Sequence, residues 1–127
     1  RRRYLPGVRI IVGARYPHQR RWALSFGADV AVVVTDTFGR PWRRGLVDVA
    51  VGVSGLPAIL DLRGSPDAHN RTMQITEIAV VDEIAAAADL VMGKPDAIPA
   101  AVIRGLDLDG EGRATDLIRP PEEDMFR

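Results

Sequence analysis

The sequence predicts an α+β fold, a mixed sheet carrying one long alanine-rich helix. Three observations predict it. "DVAVVVTD" from Asp29 and "VDVAVGVSG" from Val47 are β-branched and apolar on both faces, as in strands covered on both sides. "EIAVVDEIAAAADLVM" from Glu77 combines alanine's helix propensity with apolar residues at Ile78, Val81, Ala85, Ala88 and Val91. The order β, β, short β, α, β lacks the regular alternation of a doubly wound sheet.

Taken in order, the chain opens on a basic arm. Residues 1 to 28 hold seven arginines (Arg1, Arg2, Arg3, Arg9, Arg15, Arg20 and Arg21) and no acid, so the remainder is acidic although the net charge is zero. The segment lacks sustained periodicity. It reads as a solvated terminus, as a tail that binds nucleic acid or phosphate, or as an arginine-dense stretch of the kind GC-rich DNA yields out of frame. Sixteen arginines against one lysine motivate the last reading.

The first strand leads into Thr35–Gly45, "TDTFGRPWRRG", expected as a loop. The second strand follows, with Gly52 and Gly55 marking a bulge or a close backbone approach. Residues 61–71, "DLRGSPDAHNR", are turn chemistry throughout. "TMQIT" is expected as a short strand. The helix is then expected from Glu77, capped by Thr76 and stopped by Gly93. "PAAVIRG" reads as a strand, "LDLDGEGRATD" as a loop and "RPPEEDMFR" as a tail.

Composition narrows the function classes. At 127 residues with 46% hydrophobic content, the chain can bury one modest core. Without cysteine, disulfides and thiolate chemistry are excluded, and two histidines argue against a zinc fold. No apolar run approaches the roughly 20 residues of a membrane span, and no signal segment opens the chain. The expectation is a soluble, cytoplasmic protein.

Within the charged loop, Asp36 and Thr37 sit where a buried strand is expected to emerge, a position at which ligands often meet strand ends. A carboxylate beside a hydroxyl suits Mg²⁺ or Mn²⁺. Gly39 permits a turn or close approach, and Arg40, Arg43 and Arg44 offer forked donors for phosphate or carboxylate oxygens. A polar hairpin loop with solvated arginines explains the same residues. "VMGKPDAIP" places Met92, Gly93 and Lys94 at a helix C-terminus, where a cation balances the negative end and phosphates are not normally cradled. Asp82 and Glu83 could orient a metal or a basic group, or form an exposed helix stripe. His18 and His69 have no partner that spacing identifies. Ser54 lacks the histidine and acid of a serine triad.

"VTDTFGRPWRRGLVDVAVGVSGL", "DLRG", "TEIAVVDEIAAAADLVMGK" and "IPAAVIRG", in that order, resemble the coenzyme F-420:γ-L-glutamyl ligase family, including the ligase domain of its actinobacterial two-domain form. The resemblance covers Gly27 to Phe126. It implies a partial copy of the γ-glutamyl ligase fold: residues 1–26 a basic arm of uncertain origin, residues 27–127 the C-terminal half of a ligase domain. It implies GTP-dependent ligation of L-glutamate to a deazaflavin coenzyme precursor, building a γ-linked polyglutamate tail through an acyl phosphate. Mg²⁺ or Mn²⁺ is implied, with K⁺ as a further ion.

On that resemblance Asp36 and Thr37 are metal ligands, and Met92, Gly93 and Lys94 approach the nucleotide. Arg40 and Arg43 are candidates for holding phosphate or substrate carboxylate. A homodimer is implied, or association with a missing N-terminal half that carries a first nucleotide loop and an "Asp-x-x-Asn" element. Neither appears in residues 1–28, so little activity is expected of this chain alone, along with uncovered apolar surface. Asn70 stands where the family has glycine, and asparagine tolerates left-handed geometry. The rival expectation is a non-catalytic module binding nucleic acid or an acidic partner through the arm. It requires salt-dependent binding that deletion of residues 1–22 abolishes.

Overall fold

A computed structural model describes residues 10–14, 30–124 and 126. The mixed α+β architecture is as expected. β1 (Ile10–Ala14), β2 (Val30–Arg40), β3 (Arg43–Ser54) and β6 (Ala100–Ile103) form a four-stranded sheet in the order β3-β2-β1-β6. β4 (Leu60–Asp61) and β5 (Glu77–Ile78) form a second, two-stranded sheet. Among the described residues one α-helix, α1 (Val80–Met92), packs across the larger sheet.

β1 is the largest departure from expectation. It lies inside the stretch read as a basic arm, yet it is an interior strand, parallel to β2 at Ile10↔Val30 and antiparallel to β6 at Val12↔Val102. Five residues are too few for periodicity to stand out beside charged neighbours. The arginines of the arm and His18 lie outside the described residues.

β2 and β3 carry both the core and the charged segment. Val33, Ala31 and Ala50 join Leu56, Ala58, Val81 and Ile84 in one apolar cluster. The pairing slips between Val34 and Thr35: Val34 faces Gly52 while Thr35 faces Ala50, leaving Val51 as the extra residue of a bulge. That slip reverses the inward phase of β3, from Asp48 and Ala50 before it to Val53 after it. Gly52 sits beside the bulge in close approach: a Cβ there would meet Val34 Cβ at 3.3 Å. Gly52 thus meets the expectation, whereas Gly55 lies just past β3 at φ +82°, the left-handed region that favours glycine.

The expected loop at Thr35–Gly45 is mostly strand. β2 continues to Arg40 and β3 begins at Arg43, so the turn is Pro41 and Trp42. Proline fixes its own φ, and a second slip between Gly39 and Arg40 leaves Arg44 and Gly45 unmatched, with Gly45 at φ +90°. A bulged ladder of this kind hides its strand character behind charge and glycine.

The helix begins three residues later than expected. Ala79 is its N-cap, without a side-chain hydrogen bond, so Thr76 caps nothing. Glu77 and Ile78 are instead committed to β5, opposite Asp61 and Leu60. Val81, Ile84, Ala85 and Ala88 form the buried stripe at i, i+3, i+4 and i+7. Val91 is exposed, unlike the expectation, and Ile84 takes a place in the stripe.

"TMQIT" is not a regular strand. Met73 and Thr76 nevertheless hold the turn region by backbone bonds: Gly64 N–H donates to Met73 O at 2.8 Å and Leu62 N–H to Thr76 O at 2.9 Å. Asp67 organises its tip, accepting from the His69 and Arg71 amides, each at 2.8 Å. Asn70 takes the left-handed geometry, φ 59°. After β6, residues 106–117 return to the core through Leu106, Leu108 and Leu117. Among the described residues no helix is long and apolar enough to cross a membrane.

Candidate functional site

The β2–β3 hairpin positions most of the candidate side chains. β1 accompanies β2 only as far as Val33, so from Val34 onward the two strands run out of the larger sheet as an arm. Directly opposed residues share a face, which places Thr35 with Ala50 and Thr37 with Asp48 on one side, and Asp36 with Val49 on the other.

At the base of that arm is a polar network that sequence reasoning missed. Asp48 is 8% exposed. Thr35 Oγ1 donates to its Oδ2 at 2.9 Å, and Thr37 Oγ1 donates to its Oδ1 at 3.2 Å. A buried carboxylate without donors would be costly, and two hydroxyls offset that cost. Asp48 was legible only as a lone acid inside the apolar run "LVDVAVGV".

Asp82 completes the arrangement from the helix. Its Oδ1 accepts from the Ala50 amide at 2.9 Å, one residue from the bulge. An amide displaced from the ladder by a bulge needs an acceptor, and the first turn of α1 supplies it. Asp82 is half-buried with one oxygen on the Ala50 amide, so it is not part of an exposed stripe; its neighbour Glu83 is exposed.

Asp36 is exposed, and its Oδ1 accepts from the Thr37 amide at 2.8 Å, which folds the carboxylate back over the strand. The two expected metal ligands are thus adjacent in the middle of a strand rather than at its end. Among the described residues no three acidic or histidine side chains gather around a point. The exposed Asp36 carboxylate is a donor of the kind a magnesium-like ion takes, whereas Thr37 lies on the opposite face of the strand with its hydroxyl given to Asp48.

The arginines sit at the tip, four residues and about 13 Å along the strand from Asp36. Arg40 Nη2 donates to Gly45 O at a long 3.5 Å, while its buried Nε has no partner among the described residues. Arg43 and Arg44 are exposed, and Trp42 stacks on Phe126 with centroids 5.5 Å apart. Met92 ends α1, Gly93 is its C-cap and Lys94 opens a short 3₁₀ turn. Ten residues of helix carry Met92 about 15 Å from the Asp82 anchor. The candidates thus lie on two elements, the hairpin and the end of α1. An open cleft edged by Glu77, Asp116, Arg119 and Glu123 contains none of them.

Elsewhere, Arg63 clamps the small sheet. It bonds Asp61 at 2.7 Å and Glu77 at 3.1 Å. Hydrogen bonds from the Arg63 side chain, and then from its amide, hold the Asp61 carboxyl down at about 2.

Comparison with known proteins adds what one chain cannot. Residues 19–105 match the family described as F420-0:Gamma-glutamyl ligase. The chain is similar to the coenzyme F420:L-glutamate ligase of Methanocaldococcus jannaschii, 47% identical over 103 residues, covering 80% of this chain and 41% of the relative. It is similar to the protein of the same name from Methanothermobacter thermautotrophicus, 49% identical over 105 residues, covering 80% and 42%. The relative from Methanopyrus kandleri is 44% identical over 115 residues, covering 86% and 46%. The chain thus spans less than half the length of these curated relatives.

Proposed function

The chain belongs to the F420-0:gamma-glutamyl ligase family, and from that membership we propose that it forms the metal- and phosphate-facing part of a ligase that joins L-glutamate to a coenzyme F420 precursor. The observation that carries this reading is the family match through residues 19–105, which takes in the whole β2–β3 hairpin and α1. Amide formation from a carboxylate needs an activated acyl group, and GTP is the proposed source of the phosphoryl group. A divalent ion in such chemistry supplies neutralisation of phosphate charge.

In this proposal the exposed Asp36 carboxylate holds Mg²⁺ or Mn²⁺, and Thr37, on the opposite face of β2 with its hydroxyl given to Asp48, is the weaker of the two expected ligands. Arg40 and Arg43 hold phosphate or a substrate carboxylate, and the unpartnered Arg40 Nε supports a role as donor to an anion. Met92, Gly93 and Lys94 approach the nucleotide. Asp36 on the hairpin and Met92–Lys94 at the end of α1 belong to separate elements, and in this proposal another polypeptide segment or a second copy supplies further walls. The isolated chain is therefore expected to ligate poorly.

Two measurements test the proposal. Calorimetric titration with MnCl₂ should show binding that Asp36→Ala weakens by about 10-fold or more; equal binding by the wild type and the variant would remove Asp36 from the metal site. Incubation of the purified chain with GTP, Mn²⁺, L-glutamate and the precursor should give little product. Robust glutamylation would overturn the claim that the chain depends on further walls, and would establish the ligase activity directly.

A further inference from the structure

We infer that the tip of the β2–β3 hairpin binds a planar heteroaromatic ring carrying an anionic arm, with Trp42 as the surface on which the ring stacks. This rests on the proposal that Arg40 and Arg43 hold an anion, and deepens it by adding the ring-binding residue and the ligand class.

The turn is only Pro41 and Trp42, so Arg40 and Arg43 close the ladder immediately on either side of them. Proline fixes its own φ, which leaves the turn few other shapes. Trp42 is 69% exposed, a large amphipathic surface to leave in water. Its ring stacks on Phe126, with centroids 5.5 Å apart and planes 14° from parallel. Such a pair covers one face of the indole. Phe126 therefore backs the indole, and the opposite face is open to a further ring.

The arginines supply the second half of the site. Arg40 and Arg43 are directly opposed across the hairpin, where like charges repel. Among the described residues no ion pair engages Arg40, Arg43 or Arg44. Arg40 places Nη2 on Gly45 O at 3.5 Å, and its buried Nε has no partner among the described residues. An oxyanion between the two guanidinium groups relieves the repulsion and gives that nitrogen an acceptor. Ring surface and anion donors are neighbours in the chain, which selects a ligand whose phosphate or carboxylate sits on a short arm. Within the proposed ligase, GTP and the deazaflavin precursor are the two ring-bearing substrates. A protein partner fits less well, because interface cores are depleted of charge and this indole has three arginines within two residues of it.

The test uses riboflavin 5′-phosphate, a planar tricycle with a phosphate on a short chain, whose fluorescence is quenched when it stacks on an indole. Titration with the 127-residue chain should quench it, and raised NaCl should weaken the binding. Riboflavin, the same ring without the phosphate, should bind about 10-fold more weakly, as expected for losing charge-assisted hydrogen bonds. Trp42→Ala should weaken binding of the phosphate ester by about 5-fold or more, the lower end of what base stacking supplies. Trp42→Phe should recover part of that loss. Arg40→Gln should weaken the phosphate ester and leave riboflavin unchanged. GTP and the coenzyme precursor then compete for the site, and the one that displaces the probe at lower concentration is its natural ring. Far-UV circular dichroism checks the fold of each variant, and Trp42→Leu, apolar but without a π face, replaces Trp42→Ala if that variant misfolds.

Other outcomes overturn the inference. If the wild type does not quench the probe, or if neither GTP nor the precursor displaces it, the tip is no substrate site. If Phe126→Ala loses as much as Trp42→Ala and Trp42→Phe recovers nothing, Trp42 anchors the tail and does not stack a ligand. If Trp42→Ala turns an oligomer into a monomer without changing probe binding, the tip is a protein contact. Unchanged binding in Trp42→Ala with loss in Arg40→Gln removes the ring surface and leaves the anion role standing. Failure of the underlying proposal looks different: Arg40→Gln and Arg43→Gln both bind the phosphate ester as the wild type does.

Discussion

The same two strands, β2 and β3, build two unlike regions. At their base, beside β1 and beneath α1, Val33 and Val53 pair inside the apolar cluster with Leu56 and Val81. Beyond Val34 they leave β1 behind and become an arm on which Phe38, Trp42 and Leu46 are all exposed. The base resembles any domain core, and its residues are fixed by packing. The arm puts chemistry-bearing groups where a ligand or another polypeptide can reach them. Between the two lies the polar hinge of Thr35, Asp48 and Asp82, and this is where a single chain changes from holding itself together to presenting side chains.

Matched leucines break or sharpen that contrast. Leu56 is 1% exposed and Leu46 is 63% exposed. Leu56→Ala should cost about 2–5 kcal/mol in urea denaturation, the range for emptying a core site. Leu46→Ala should stay within about 0.5 kcal/mol, as for surface sites without special roles. Comparable losses at both positions would mean that the arm is packed in solution, for example by self-association, and a concentration-dependent midpoint would reveal it.

A smaller effect probes the hinge. Asp82→Ala leaves the Ala50 amide without its acceptor and should cost about 1–3 kcal/mol. Asp82→Asn keeps an acceptor oxygen and should recover part of that. Glu83→Ala, one residue along on the exposed face, should change little, and equal effects at both sites would argue that helix charge matters more than the bulge contact.

The smallest effect belongs to the small sheet, away from both regions. Arg63 lowers the Asp61 carboxyl from 3.8 to about 2. Because the folded value lies below the ordinary one, the contribution of this pair is complete above about pH 4 and disappears as pH falls through 2. NMR titration should give a midpoint near 2 for Asp61, returning toward 3.8 in Arg63→Ala. The exposure of both groups keeps the accompanying stability change small.

Much was legible in the chain. The middle of the helix, the strand character at Val47–Ser54, the turn chemistry around Asp67 and the left-handed Asn70 all follow from local preference. The family followed from motifs in order. What escaped was whatever depends on a distant partner. Thr76 looked like a cap, but pairing with β4 claims Glu77 and Ile78 and delays the helix. "TDTFGRPWRRG" looked like a loop because charge and glycine mask a bulged ladder.

The sequence by itself determined the middle of the helix and the apolar stretches of β2 and β3, where charge accumulates, and which residue types are available for binding an ion or a phosphate. These are properties of residues and near neighbours, with periods of 2 and 3.6 that a short window contains. Only the tertiary structure decided that Ile10–Ala14 runs between β2 and β6, that the bulge at Val51 turns Asp48 and Ala50 inward, and that Asp48 meets both Thr35 and Thr37. The physical reason is register. A slip of one residue moves every later side chain to the opposite face, and that choice is made by strands and a helix tens of residues away.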